Sequence, residues 1–199
     1  MSSHIAECTA LIVAGGESRR MGRDKATLPF AGQVLVDTLA ERLQTLFPQV
    51  LVSVRVPRAD IHWPQVHDDP ALAGPLAGLQ AGLTVCTTPW LFALAVDMPF
   101  LEAHTIARLA ARRSTCDVVL PVCAGEAQPL AAFYAVGETQ RQLRGLLAGS
   151  DTRRSLRALL ERLRVLQVDV TQLEVGAQAF ADLDTPEDVR KYALGVRSE

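Results

Sequence analysis

A three-layer α/β sandwich of the Rossmann-like kind, built on a mostly parallel sheet, is predicted by three observations. Short apolar runs rich in branched residues alternate with stretches of helical periodicity. The first run, Leu11-Ile12-Val13, halts at the pair Gly15-Gly16. A later one, Trp90-Leu91-Phe92-Ala93-Leu94-Ala95-Val96, is apolar throughout, as a strand covered on both faces must be. The 199 residues, 49% apolar and 21% charged, are enough for one substantial core, and a single domain over 1–199 is expected.

Composition also excludes classes of function. A net charge of −2, with no lysine-arginine block, leaves no electrostatic footprint for nucleic acid. No apolar run reaches the roughly eighteen residues that a membrane span needs, and Met1-Ser2-Ser3-His4 carries no basic-then-apolar leader. Cys8, Cys86, Cys116 and Cys123 have neither C-x-x-C spacing nor the density of a disulfide scaffold. They read as reduced, buried thiols of a cytoplasmic protein.

In chain order, Thr9 to Ala14 is the first strand. Val34, Leu35, Leu39, Leu43 and Leu46 form one stripe of a helix over Gln33–Leu46, which Pro48 closes. Val50 to Val54 is a second buried strand, and Val66-His67-Asp68 ends a third, so strand, helix and strand make a right-handed βαβ unit. Gly74-Pro75-Leu76-Ala77-Gly78 opens a helix with proline in its first turn. The small residues Gly74, Ala77 and Gly78 let its backbone lie close to a ligand. After the apolar strand come a helix over Glu102–Arg113, strands over Asp117–Val122 and Leu130–Tyr134, and helices over Thr139–Leu147 and Thr152–Leu163. The last has Asp151 and Thr152 as cap candidates, which puts Arg153 and Arg154 in its first turn, either as surface groups or as partners of an acceptor phosphate. Leu163–Val170 is a late strand, and Thr185-Pro186-Glu187-Asp188 starts a final helix.

The chemistry concentrates between residues 13 and 25. Glycine permits close backbone approach and positive φ, so the amides of Gly15 and Gly16 are suited to an anion. Arg19, Arg20 and Lys25 bring three cations to the same short loop. Of twenty cationic side chains only Lys25 and Lys191 are lysines, which marks position 25 for a compact point charge on phosphate. Neither G-x-x-x-x-G-K-[ST] nor G-x-G-x-x-G is present, because Gly22 is followed by Arg23 and Gly16 by Glu17. Asp97, closing the apolar strand, stands where open α/β sheets hold ligands, and a carboxylate facing a triphosphate there is a natural Mg²⁺ ligand. Pro99 and Phe100 separate it too far from the next helix for a capping role.

Ala14-Gly15-Gly16…Arg20-Met21-Gly22…Asp24-Lys25, with GPLAG at 74–78 and Asp97-Met98-Pro99, resembles the nucleotidyltransferases of the molybdenum cofactor guanylyltransferase (MobA) type, over essentially the whole chain. The resemblance implies a nucleotide-diphospho-sugar transferase-like fold. It implies Val13, Ala14, Gly15, Gly16, Lys25, Ser53, Gly74, Gly78, Asp97 and an aspartate before GPLAG, Asp68 or Asp69, as the nucleotide site. It implies Arg20, Lys25 and Asp97 as the catalytic groups and Asp97 as the metal ligand. The implied reaction is transfer of GMP from GTP to molybdopterin with Mg²⁺, releasing pyrophosphate, and candidate protein partners are molybdoenzymes or cofactor-insertion proteins. Cytidylyl transfer to the same cofactor, or nucleotidyl transfer to a sugar phosphate, is the alternative. Asp182 and Asp184 stand where the family usually writes asparagine near the acceptor, and Ser53 where relatives can have asparagine.

Overall fold

The computed structural model describes residues 4–15, 25–30, 32–149, 153–183 and 188. Among them, strands β1 (Cys8–Val13), β4 (Gln49–Val54), β5 (Gln65–His67), β6 (Trp90–Ala95), β7 (Val118–Cys123), β8 (Glu126–Ala127), β9 (Ala131–Ala135) and β10 (Val165–Asp169) form one sheet. Its order is β10-β7-β9-β6-β1-β4-β5, with β8 attached to β7. The β1/β4, β1/β6, β4/β5 and β7/β10 pairs are parallel, while β9 runs against both β6 and β7. A short pair, β2 (Pro29–Phe30) and β3 (Gln33–Val34), stands apart as an antiparallel ribbon.

Two-sided burial explains the apolar strand sequences. In β1, Ala10 and Ile12 face α1 (Leu35–Gln44) and α3 (Ala103–Ala110). Leu11 and Val13 face α2 (Pro75–Val85), α4 (Val136–Ala148) and α5 (Leu156–Leu160). β6 divides likewise, Phe92 and Leu94 to one side and Leu91 and Ala93 to the other. Successive side chains of a strand alternate faces, so a strand between two helical layers has no position left for water. In the first layer Phe47 stacks on Phe92 at a centroid separation of 5.4 Å and Phe133 packs tilted against Phe92 at 4.7 Å, worth about 0.5–1.5 kcal/mol per pair beyond the area they bury. The three-layer α/β expectation therefore holds.

Several boundaries differ from the sequence reading. The helix expected from Gln33 begins at Leu35, because Gln33 and Val34 pair with Phe30 and Pro29 and Val34 is extended. A hairpin is thus added, with Gly32 at φ 87° beside its turn. α4 starts three residues earlier than expected, at Val136, whose backbone N–H donates to Pro89 at 2.9 Å. α5 is shorter than Thr152–Leu163: Ser155 is its N-cap, accepting from the Ala158 N–H at 3.2 Å. Arg153 and Arg154 therefore precede the cap rather than occupy the first turn. Asp151 and Thr152, like the helix start at Thr185 and Pro186, lie outside the described residues. Of the four thiols only Cys8 is buried; Cys86, Cys116 and Cys123 are half-buried, and all four are free.

Candidate active site

Parallel strands end together, and here their carboxyl ends deliver the predicted residues to one edge. The Ala14 N–H donates to Ser53 O at 3.1 Å and the Val96 N–H to Val13 O at 3.2 Å, carrying the ladders one residue past the strand ends. Gly15 and Asp97 thus leave adjacent strands side by side. On the other flank, the Asp68 N–H donates to Val54 O at 3.0 Å, so Asp68 emerges beside the end of β4. Val13, Ala14, Gly15, Ser53, Asp68 and Asp97 come together along this edge, and α2 begins across from them at Gly74-Pro75.

At one end of the edge, the Lys25 Nζ lies 2.7 Å from Asp97 Oδ2, with side chains only 17% and 22% exposed. Lys25 opens a 3₁₀ turn, Lys25–Thr27, that returns the chain to the sheet. The pair borders a cavity of about 200 Å³ that Gly15, Gly74, Pro75 and Leu130 also line. A second cavity of about 510 Å³, reaching Asp68, Arg55 and Ala77, shares Gly15 and Gly74 with the first, so the two form one trough. Gly16, Arg19, Arg20, Met21, Gly22 and Asp24 of the predicted loop lie outside the described residues.

Close approach explains two glycines and backbone conformation a third. A Cβ on Gly15 would stand 2.0 Å from Asp68 Oδ2, and one on Gly78 would stand 2.5 Å from Ser53 Oγ. Gly74 has φ 65°, a left-handed conformation that only glycine adopts without strain, and it sets Pro75 as the first helical residue of α2. Asp68 and Asp69 both line the second cavity but differ in their surroundings. Asp69 accepts from the Ala71 N–H at 2.9 Å and stabilises a turn. Asp68 is packed against Gly15, and among the described residues neither its buried Oδ1 nor the buried Ser53 hydroxyl has a hydrogen-bond partner. Burial raises the Asp68 carboxyl above its ordinary range, while the Ser53 hydroxyl and the charges of Arg55 and His67 oppose that rise.

Two supports had no sequence signal strong enough to find them. Arg42, on the last turn of α1, donates from Nη1 to Pro99 O at 2.5 Å and Leu101 O at 3.2 Å, gripping the loop that follows Asp97. The Leu183 N–H donates to the backbone oxygen of Asp97 at 2.9 Å, which brings exposed Asp182 to the same edge; Asp184 lies outside the described residues. Arg153 and Arg154 are engaged elsewhere, with Glu161 at 3.8 Å and Leu147 O at 3.3 Å. A larger cavity, about 820 Å³, opens between α1, α3 and residues 174–179. It contains none of the predicted residues, and exposed Glu102 and Glu174 on its lining oppose a polyphosphate.

Known proteins resemble this chain over most of its length. Residues 10–168 match the model of the MobA-like NTP transferase domain. A molybdenum cofactor guanylyltransferase of Xanthomonas euvesicatoria is 37% identical, covering 90% of each chain. Another, of Polynucleobacter asymbioticus, is 32% identical over 92% of this chain and 94% of its own. Molybdopterin-guanine dinucleotide biosynthesis protein A of Archaeoglobus fulgidus has the same fold, with a TM-score of 0.78 at 24% identity over 94% of this chain and 98% of that one.

Proposed function

Since the chain belongs to the MobA-like NTP transferase family, we propose that it is a nucleotidyltransferase moving GMP from GTP to the terminal phosphate of molybdopterin, with release of pyrophosphate. The observation that carries the reading is the continuous trough, with the Lys25–Asp97 pair at one end and the under-satisfied Asp68 carboxylate at the other. That arrangement suits a ligand with an anionic tail and a hydrogen-bond-donating base. Guanine presents a ring N–H and an amino group side by side, and a carboxylate accepts such a donor pair with both oxygens. The last side-chain torsion of aspartate is soft, so Asp68 can turn both oxygens to the cavity. Cytosine would set a ring lone pair against the same carboxylate.

In the reaction, the Gly15 and Gly16 amides, Arg20 and Lys25 hold and neutralise the triphosphate. The small residues Gly74 and Gly78 and the buried Ser53 let α2 close over the nucleotide, beside the backbone of Val13 and Ala14. Attack by the acceptor phosphate on the α-phosphorus, in line with departing pyrophosphate, needs no covalent intermediate. Positioning and electrostatics supply the rate. The donor set fits Mg²⁺. Among the described residues no three metal-ligating side chains cluster, and an ion carried mainly by phosphate oxygens asks for few carboxylates, of which Asp97 is the one at the strand end. When bound, the ion neutralises phosphate charge. Asp97 would hold such an ion, and Lys25, its partner at 2.7 Å, would serve the triphosphate.

The reading extends to the rest of the chain. We assign 1–199 to one nucleotidyltransferase domain acting in the cytoplasm, with molybdoenzymes or cofactor-insertion proteins receiving the product. No helix among the described residues is long and apolar enough to cross a membrane. The deciding experiment incubates the protein with Mg²⁺, molybdopterin and either GTP or CTP and measures pyrophosphate. Release with GTP is expected to exceed release with CTP at least about tenfold, or about 1.4 kcal/mol. Equal or reversed rates overturn the guanylyl assignment.

A further inference from the structure

We propose that Arg55 reads the nucleobase: its guanidinium donates to the carbonyl oxygen O6 of guanine while Asp68 accepts from the ring N–H and the amino group. The inference rests on the guanine reading above and names a second side chain that enforces it. In the alternation of β4, Ser53 is buried and packs against Gly78, and Arg55 lies two residues on, one past the strand's last residue, where the chain leaves the sheet. Arg55 and Asp68 line the same cavity of about 510 Å³. Its other walls include Val56, Pro70, Leu72 and Ala73, apolar surfaces suited to the faces of a planar base. Val56 is 63% exposed, one of two large apolar side chains so placed among the described residues, and a base lying in the cavity gives it a covering.

The two charges already sense one another without ligand, since Arg55 pulls the Asp68 carboxyl down against the effect of burial. Guanine's edge runs acceptor, donor, donor. A guanidinium beside a carboxylate presents the complementary order, donors then acceptors. A site built this way penalises an analogue lacking any one of the three groups, because a buried polar partner is then left unmatched.

Nucleotide binding in the presence of Mg²⁺ and without acceptor tests this by calorimetry near neutral pH, with GTP, CTP, ITP and 6-thio-GTP as probes. ITP lacks the amino group that Asp68 would read, and 6-thio-GTP replaces O6 with a weakly accepting sulfur. The wild-type protein should bind each of these two about tenfold more weakly than GTP, the loss expected for one charge-assisted hydrogen bond. In Arg55→Met the penalty for 6-thio-GTP should fall to within about twofold of none while the ITP penalty persists; Arg55→Lys should retain part of it. Arg55 is exposed, so these variants should melt with the wild type. A 6-thio-GTP penalty of the same size in Arg55→Met and wild type overturns the proposal, as does no penalty in the wild type. Equal weakening of all four nucleotides would make Arg55 a general attractor of phosphate and would also overturn it. If wild type prefers GTP to CTP in either case, the guanine reading survives and only the Arg55 assignment fails; if it does not, the guanine reading fails first.

Discussion

Replacing Asp68 by asparagine separates binding energy from folding energy. The carboxylate offers two acceptor oxygens, and a hydrogen bond to a charged group contributes about 1.5–3 kcal/mol. Asparagine keeps one acceptor and turns an amide donor toward a donor of the base, so at least one such bond is lost and one contact becomes repulsive. A loss of about 2–3 kcal/mol in GTP affinity follows, roughly 30- to 150-fold. CTP, which has no matching donor pair, should change little, so the GTP/CTP preference collapses. Stability should move the other way. The folded carboxyl is raised by burial, so the folded protein holds this proton to higher pH than the unfolded chain does. The ligand-free protein therefore loses stability as pH rises from the ordinary carboxyl range through the raised value, and the cost is fully present above it. Asp68→Asn removes it, and the ligand-free melting temperature should stay the same or rise. GTP binding by the wild type should weaken as pH falls into that window, while the variant's should not. The assays are calorimetry with both nucleotides and thermal melts across acidic to neutral pH. GTP affinity within about threefold of wild type, a change under about 0.7 kcal/mol, would refute the role given to Asp68.

Further outcomes concern the other end of the trough and its supports. Asp97→Asn should nearly abolish turnover yet shift stability by about 1 kcal/mol or less, because its ion pair with Lys25 is partly exposed; a collapse of the melting temperature would make Asp97 a structural residue. Lys25→Ala should weaken triphosphate binding, and Lys25→Arg should restore it only in part, since a planar fork replaces a point charge; full rescue in a binding titration would contradict that. Arg42→Met strips two loop carbonyls of their donor and should cost about 2 kcal/mol, a drop of about 4–8 °C in Tm at this chain length, together with reduced kcat; an unchanged melt and rate would show that the loop holds itself. Asp182→Asn, at an exposed position, should leave turnover on molybdopterin within about threefold, under about 0.7 kcal/mol, and a tenfold gain would instead indicate an acceptor site shaped against that charge.

The corrections share a cause. Val34 fits a helical stripe by spacing, yet Gln33 and Val34 pair with Phe30 and Pro29 in an antiparallel ribbon, and pairing overrides periodicity. Asp151 and Thr152 are good caps by type, but Ser155 supplies the cap because Leu156, Ala158 and Leu159 are the residues buried in the second helical layer. The thiols of Cys86, Cys116 and Cys123 share the residue type of Cys8 but not its burial: Cys8 opens the central strand β1, whereas Cys86 caps the end of α2, Cys116 precedes β7 and Cys123 is the last residue of β7.

By itself the sequence determined the α/β class, the parallel centre of the sheet and the residues gathered at its edge. Each of those is written in local chemistry: apolar runs with no polar side to offer, glycines that stop them, and charges set at their carboxyl ends. That Asp68 packs against Gly15, that Lys25 meets Asp97, that Arg42 holds the loop carbonyls and Leu183 the backbone oxygen of Asp97, and that Arg55 and Asp68 share one cavity were decided only by the tertiary structure. These are contacts between residues 13 to 86 positions apart, and no spacing along the chain encodes them. Parallel pairing creates them, because it brings the ends of β5, β4, β1 and β6 to one side and lets the loops beyond those ends meet.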